Sequence, residues 1–156
     1  TYMKITICGS IAFIEEMKTL QKNLENMGHE AKTPPAEIID ESGAEISAKQ
    51  YYEMRKATSQ NTGWIWDRKA EAMKRHFEKV AWADAILVSN HDKNGVPGYI
   101  GANTLLEMGL AFHFGKPIYL LNEIPEISYK EEILGMKPAV INGDLSKIKL
   151  AILHYR

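Results

Sequence analysis

Two short apolar runs, "ADAILVSN" (residues 83–90) and "GKPIYLL" (115–121), enclose "GANTLLEMGLAFHF" (101–114), and their order decides the fold. Each outer run is continuously apolar at its centre, as a strand buried on both faces requires. The segment between them carries its apolar residues at helical spacing, so it reads as a helix from about Ala102 to Phe114. Strand, helix and strand make a crossover unit, and strands joined that way run parallel. The same grammar continues outward. "MKITICGS" (3–10) is a β-branched run that stops at Gly9-Ser10 and feeds an amphipathic segment from about Ile11 to Met27, closed by Gly28. "HEAKTP" (29–34) is a weak second strand stopped by Pro34 and Pro35, and "KPAVING" (137–143) is a short last strand. "DLSKIKLAILHYR" (144–156) suits a closing helix capped by Asp144. The expectation is an α/β fold with a doubly wound, five-stranded parallel sheet of the flavodoxin or Rossmann kind, its strands at 4–8, 29–33, 85–89, 117–121 and 139–141.

Residues 36–83 break this alternation. "SAKQYYEMRKATSQ" (47–60) and "WDRKAEAMKRHFEKVAWA" (66–83) read as two helices in succession, with "NTGWIW" (61–66) at the turn between them. This is the pattern of a helical insertion, and long insertions often cover sites. Trp64 and Trp66 divide between two roles there, one packing in the core and one stacking on a flat ligand, with nothing to say which takes which.

A chain of 156 residues with 45% hydrophobic content is the size of one domain, spanning 1–156, and can close a real core. A formal net charge of −1 leaves no basic footprint for duplex nucleic acid or an anionic membrane, so the expected partner is a small molecule. The single cysteine, Cys8, has no disulfide partner, which suits a reducing cytoplasm. No apolar stretch reaches the roughly 18 residues needed to span a bilayer. His76 and His91 stand at no ligand spacing with a carboxylate, and His113 lies on an apolar helix, so neither a metal nor another cofactor is expected.

In open α/β sheets ligands collect beyond the carboxyl ends of the strands. "CGSIAF" (8–13) follows the first strand as a glycine turn into a helix N-terminus, where free N–H groups around Gly9 to Ala12 favour an anion. An ordinary tight turn with Ser10 as helix cap fits these residues equally well. Neither the GxGxxG nor the P-loop spacing is present. "HDKNGVPGYIGANT" (91–104) is long and glycine-rich, and it leads to Glu107, the one acid in "YIGANTLLEMGLAFHFGKP" (99–117). Burying a carboxylate costs several kcal/mol, by rough estimate, unless it is paired or neutralised. Glu107 is therefore a nucleophile or proton carrier, or else a loop cap that accepts backbone hydrogen bonds.

"ICGSI" (7–11), "ADAILVSN" (83–90) and "GANTLLEMGLAFHFGKPIYLL" (101–121) together resemble the nucleoside 2-deoxyribosyltransferase superfamily, which includes the deoxynucleoside 5′-monophosphate N-glycosidases. The glutamate followed by Gly109, Ala111 and "GKP" is the most specific element, and the Cys-Gly-Ser-Ile turn is closest to the N-glycosidase branch. The resemblance implies a nucleoside or nucleotide substrate and a homodimer. It makes Glu107 the nucleophile that attacks the anomeric carbon and displaces the base, with water or a second base releasing the sugar. It places Cys8, Gly9, Ser10 and Ile11 at the ribose or 5′-phosphate and Phe13 beside the base. Two positions depart from the family pattern: Gly101 stands six residues before the glutamate, where an aspartate or serine is usual, and His76 stands where a further aspartate is expected. Asn103 and Asp92 are the nearest polar substitutes. The two functional readings are N-glycosidic cleavage or transfer, and non-catalytic nucleotide binding or sensing on the same fold. For the first, Glu107 is expected to be ionised and held by hydrogen bonds from the Gly101–Thr104 loop. The aromatic insertion around Tyr51, Tyr52, Trp64 and Trp66 is the expected dimer surface.

Overall fold

A computed structural model describes residues 2–149. Five strands, β1 (Lys4–Cys8), β2 (Glu30–Lys32), β5 (Ala85–Val88), β6 (Ile118–Leu120) and β7 (Ala139–Val140), form one sheet in the order β2-β1-β5-β6-β7. Every pairing is parallel, with Ile5 opposite Ala85 and Val88 opposite Leu120. The order is that of a doubly wound sheet whose switch point lies between β1 and β5. All five expected strands are present: β1 has the expected bounds, and the other four are shorter by one or two residues.

Alternation along the strands sends side chains to two cores. Ile5, Ile7, Ala85 and Leu87 pack with Ile14, Met17 and Leu24 of helix α1 (Ile14–Asn26). Cys8, Ile86, Val88 and Leu120 pack on the opposite face with Val80 of α3 (Trp64–Trp82), Met108 and Ala111 of α4 (Ala102–His113), and Ile133 of α5 (Lys130–Gly135). Each fully buried aliphatic side chain contributes about 2 kcal/mol of burial free energy.

The insertion is richer than two helices. It opens with an antiparallel hairpin, β3 (Glu37–Ile39) with β4 (Glu45–Ser47), before α2 (Ala48–Ala57). Asp40 closes its turn, its Oδ1 accepting from Ser42 N and Ala44 N at 2.9 Å each. Strands of three residues are too short to display a period, so periodicity alone missed them. Nor does the insertion extend to residue 83: α3 buries Val80 and His76 against the sheet and is the covering helix that leads into β5. Ser10 caps a 3-10 turn (Ile11–Phe13) that precedes α1, and Asp144 caps a second (Leu145–Lys147). Most of the closing helix expected at 144–156 lies outside the described residues. Among the described residues no helix is long and apolar enough to cross a membrane.

Candidate active site

The carboxyl ends of β1 and β5 open onto a cavity of ≈ 230 Å³, roofed by α2 and α3 and floored by the start of α4. The loop from Ser89 to Gly101 forms one rim, and a buried asparagine sets its path. Asn90 Nδ2 donates to the carbonyls of Asn122 (3.0 Å), Glu123 (3.1 Å) and Gly98 (3.3 Å), while its Oδ1 accepts from Asn122 N at 2.9 Å. Asn122 Nδ2 returns a bond to the Asn90 carbonyl at 2.9 Å. The loops after β5 and β6 are thus clasped together. Gly98 has φ +66°, and a Cβ there would stand 2.5 Å from the Glu123 carbonyl, so only glycine fits.

Glu107 lies in the second turn of α4, 2% exposed, facing the cavity floor. Its Oε2 accepts from Asn103 Nδ2 at 3.4 Å and stands 3.8 Å from His76 Nε2. Burial pushes its pKa up to about 8, opposed by the charges of Lys69 and Lys79 and by a hydrogen bond from the Cys8 thiol. The expected ionised state is therefore corrected: with one long amide bond near the Gly101–Thr104 loop, desolvation outweighs hydrogen bonding and Glu107 carries a proton at neutral pH. Burial drives His76 the other way, to about 4, with help from the Lys79 charge, so its imidazole is neutral. The backbone of Ile7 lies beside the ring and opposes this shift, yet neither ring nitrogen completes a hydrogen bond.

The cavity walls are cationic. Lys69 on α3 is desolvated to about 8, with the neighbouring Arg55 charge adding to the fall and Glu107 resisting it. Burial also lowers the pKa of Arg55, whose guanidinium lies 5.1 Å from the Tyr51 ring and 5.3 Å from the Tyr52 ring. Lys93 Nζ donates to Ser10 Oγ at 2.9 Å and to Tyr52 Oη at 3.3 Å, and lies 5.1 Å from the Tyr99 ring centre. Among the described residues, Glu107 is the only acid that lines the cavity.

Of the residues singled out in the sequence, Gly9, Ser10, Ile11, His76, Gly101, Asn103 and Glu107 line this cavity together. Cys8 does not line it but lies behind Glu107, fully buried. Phe13 belongs to the core beside α1, edge-on to His91 at 5.0 Å, and does not line the cavity. Asp92 turns away from the cavity to accept from Gly98 N at 3.1 Å and shapes the rim instead. Neither Trp64 nor Trp66 lines the cavity; Trp66 donates to the Gln60 carbonyl at 2.7 Å, and the aromatic walls are Tyr51, Tyr52 and Tyr99. At Gly101, a Cβ would stand 3.2 Å from the Tyr99 hydroxyl, so a tyrosine ring occupies the space that a larger side chain would need.

Arg55, Lys69 and Lys93 escaped the sequence reading because each sits in a charged or polar stretch typical of a solvated face. Only the adjacency of Tyr51-Tyr52 to Arg55 could have signalled the first of them.

No protein-family model and no curated protein matches the chain. Solved structures similar to it include the following two. One is a 2-deoxyribosyltransferase from the psychrotolerant bacterium Bacillus psychrosaccharolyticus, at 18% identity and TM-score 0.48, over 75% of this chain and 70% of that one. The other is the CMP N-glycosidase BcmB of Clostridium botulinum, at 16% identity and TM-score 0.43, over 88% of this chain and 85% of that one.

Proposed function

We propose that the chain is an enzyme that cleaves or transfers the N-glycosidic bond of a nucleoside 5′-monophosphate, with Glu107 as nucleophile. The observation that carries this reading is a single buried carboxylate at the floor of a cavity whose other charged walls, Arg55, Lys69 and Lys93, are cations. Such a cavity suits an anionic ligand with an electrophilic carbon placed over the carboxylate. Attack on the anomeric carbon passes through an oxocarbenium-like state that an adjacent carboxylate stabilises, and a second displacement by water or another base completes a retaining reaction. Lys69 favours the ionised form of Glu107, and Asn103 orients it. Chromatographic detection of free base from a panel of nucleosides and 5′-monophosphates tests the reading; no base from any of them ends it. A second reading, nucleotide binding without turnover, is favoured by the proton on Glu107, which can donate to a ribose hydroxyl.

The anion end of the ligand is assigned to Ser10 and Lys93. Ala12 N already donates to Ser10 Oγ at 3.3 Å and Phe13 N to the Ser10 carbonyl at 2.9 Å, so the turn has fewer free donors than its sequence suggests. Lys93 supplies the charge. A 5′-monophosphate is expected to bind more tightly than its nucleoside in calorimetry, and Lys93→Met to remove about 10- to 100-fold of that advantage. Equal affinities for the two ligands in the wild-type protein would remove the phosphate assignment.

A homodimer is also proposed, through a different surface from the one expected. Tyr51 is buried and Tyr52 lines the cavity, whereas α4 and its C-cap expose Leu106 (52%), Phe112 (53%) and Phe114 (48%). Sedimentation at micromolar concentration should show a dimer that Leu106→Glu with Phe112→Glu converts to monomer. A wild-type monomer refutes it.

A further inference from the structure

Three donor atoms from three separate elements converge beneath the cavity: Cys8 Sγ at the end of β1, an imidazole nitrogen of His76 on α3, and a carboxylate oxygen of Glu107 on α4. All lie within 4.8 Å of one another, and all three residues are buried. His76 is the feature that needs an explanation. It is 4% exposed, and both ring nitrogens lack a hydrogen-bond partner, a condition that buried polar groups rarely tolerate. Its Nε2 points toward Glu107 Oε2 at 3.8 Å, too far for a hydrogen bond. That separation is close to the distance of about 3.4 Å that two nitrogen or oxygen ligands keep on a tetrahedral zinc ion.

We propose that Cys8, His76 and Glu107 form a binding site for a soft divalent metal ion of the zinc type, and that the ion, on the reading of Glu107 as nucleophile, inhibits base release by occupying the lone pairs of Glu107. The donor chemistry fits. Thiolate, imidazole and carboxylate are the usual ligands of zinc, and three protein ligands leave one position open toward the cavity that His76 and Glu107 line. A dication bound by one thiolate, one carboxylate and a neutral imidazole is locally balanced, so the nearby Lys69 and Lys79 charges meet no net positive site. Binding at neutral pH displaces two protons to solvent, one from the Cys8 thiol and one from the Glu107 carboxyl. The Ile7 backbone beside the imidazole is the kind of outer partner that orients a metal-bound histidine. Closing the ligand triangle to bonding distance needs contraction of about 1 Å, within reach of the Glu107 side chain.

Metal binding on the wild-type chain tests the site independently of any glycosidase activity. Calorimetry with Zn²⁺ should give one ion per chain. Co²⁺ should give tetrahedral d–d bands together with a thiolate-to-cobalt charge-transfer band in the near ultraviolet. Cys8→Ser should abolish that band, and both Cys8→Ser and His76→Gln should weaken Zn²⁺ binding by at least about 10-fold. If either variant fails to fold, the wild-type Co²⁺ spectrum decides alone. Absence of binding, or a Co²⁺ complex without the thiolate band, as surface histidines alone would give, overturns the proposal. Neither result bears on the nucleophile, which is read from base release by metal-free protein.

Discussion

Glu107→Gln is expected to lower base release by about 10³-fold or more in metal-free protein while leaving the fold intact, because glutamine keeps the shape and the Asn103 contact but cannot form a glycosyl ester. The wild-type pH profile should carry the same signature. Since the attacking species is the carboxylate and burial raises its pKa to about 8, kcat/KM should climb with pH and level off above about 8. A profile already flat at pH 6 would show that Glu107 is ionised much earlier than its burial implies. Stability should move in the opposite sense. Because Glu107 binds its proton more tightly in the folded chain, the associated stability is full below its ordinary value of 4.5 and is lost as pH rises through about 8. His76, lowered from 6.5 to about 4, contributes stability that is present above 6.5 and lost as pH falls through about 4. The two effects oppose each other in the acid range, and above pH 6.5 only the Glu107 loss continues. Urea melts should therefore find Glu107→Gln more stable than wild type at pH 9, by a few kcal/mol as an order of magnitude, with the difference shrinking toward pH 5. A Glu107→Gln protein that releases base at the wild-type rate from a true substrate ends the nucleophile assignment and leaves Glu107 as a structural acid.

Asn90→Ala is expected to cost about 3–4 kcal/mol in urea unfolding. Its amide is fully buried and satisfies the carbonyls of Gly98, Asn122 and Glu123 as well as the Asn122 N–H, and alanine leaves all four short of a partner. Gly98→Ala should act on the same clasp from the other side, by about 2–4 kcal/mol, since it adds a clash with the Glu123 carbonyl to a left-handed backbone. Both variants should also weaken ligand binding, because the clasp sets the path of the loop that carries Lys93 to Ser10. Losses below about 1 kcal/mol for both would mean that water replaces the clasp.

The strands and the helix bearing Glu107 were legible in the sequence because their signals are local. A buried parallel strand must be apolar along its length, as Ala85–Val88 is, and a crossover helix must follow it. The conflict posed by Glu107 was legible for the same reason: an acid in an apolar helix stands out against its own neighbours. The hairpin at Glu37–Ile39 and Glu45–Ser47 was not, since three residues on an exposed ribbon display no period. The composition of the site belongs to tertiary structure. Cys8, His76 and Glu107 are scattered along the chain and meet only because β1, α3 and α4 pack on one another, and Arg55, Lys69 and Lys93 look like solvent-facing charges until α2, α3 and the loop after β5 close round the carboxyl ends of the strands. The protonation of Glu107 was decided there too. Hydrogen-bonding capacity can be guessed from nearby side chains, but the cost of desolvation depends on everything that covers the carboxylate, and that cover comes from segments distant in sequence.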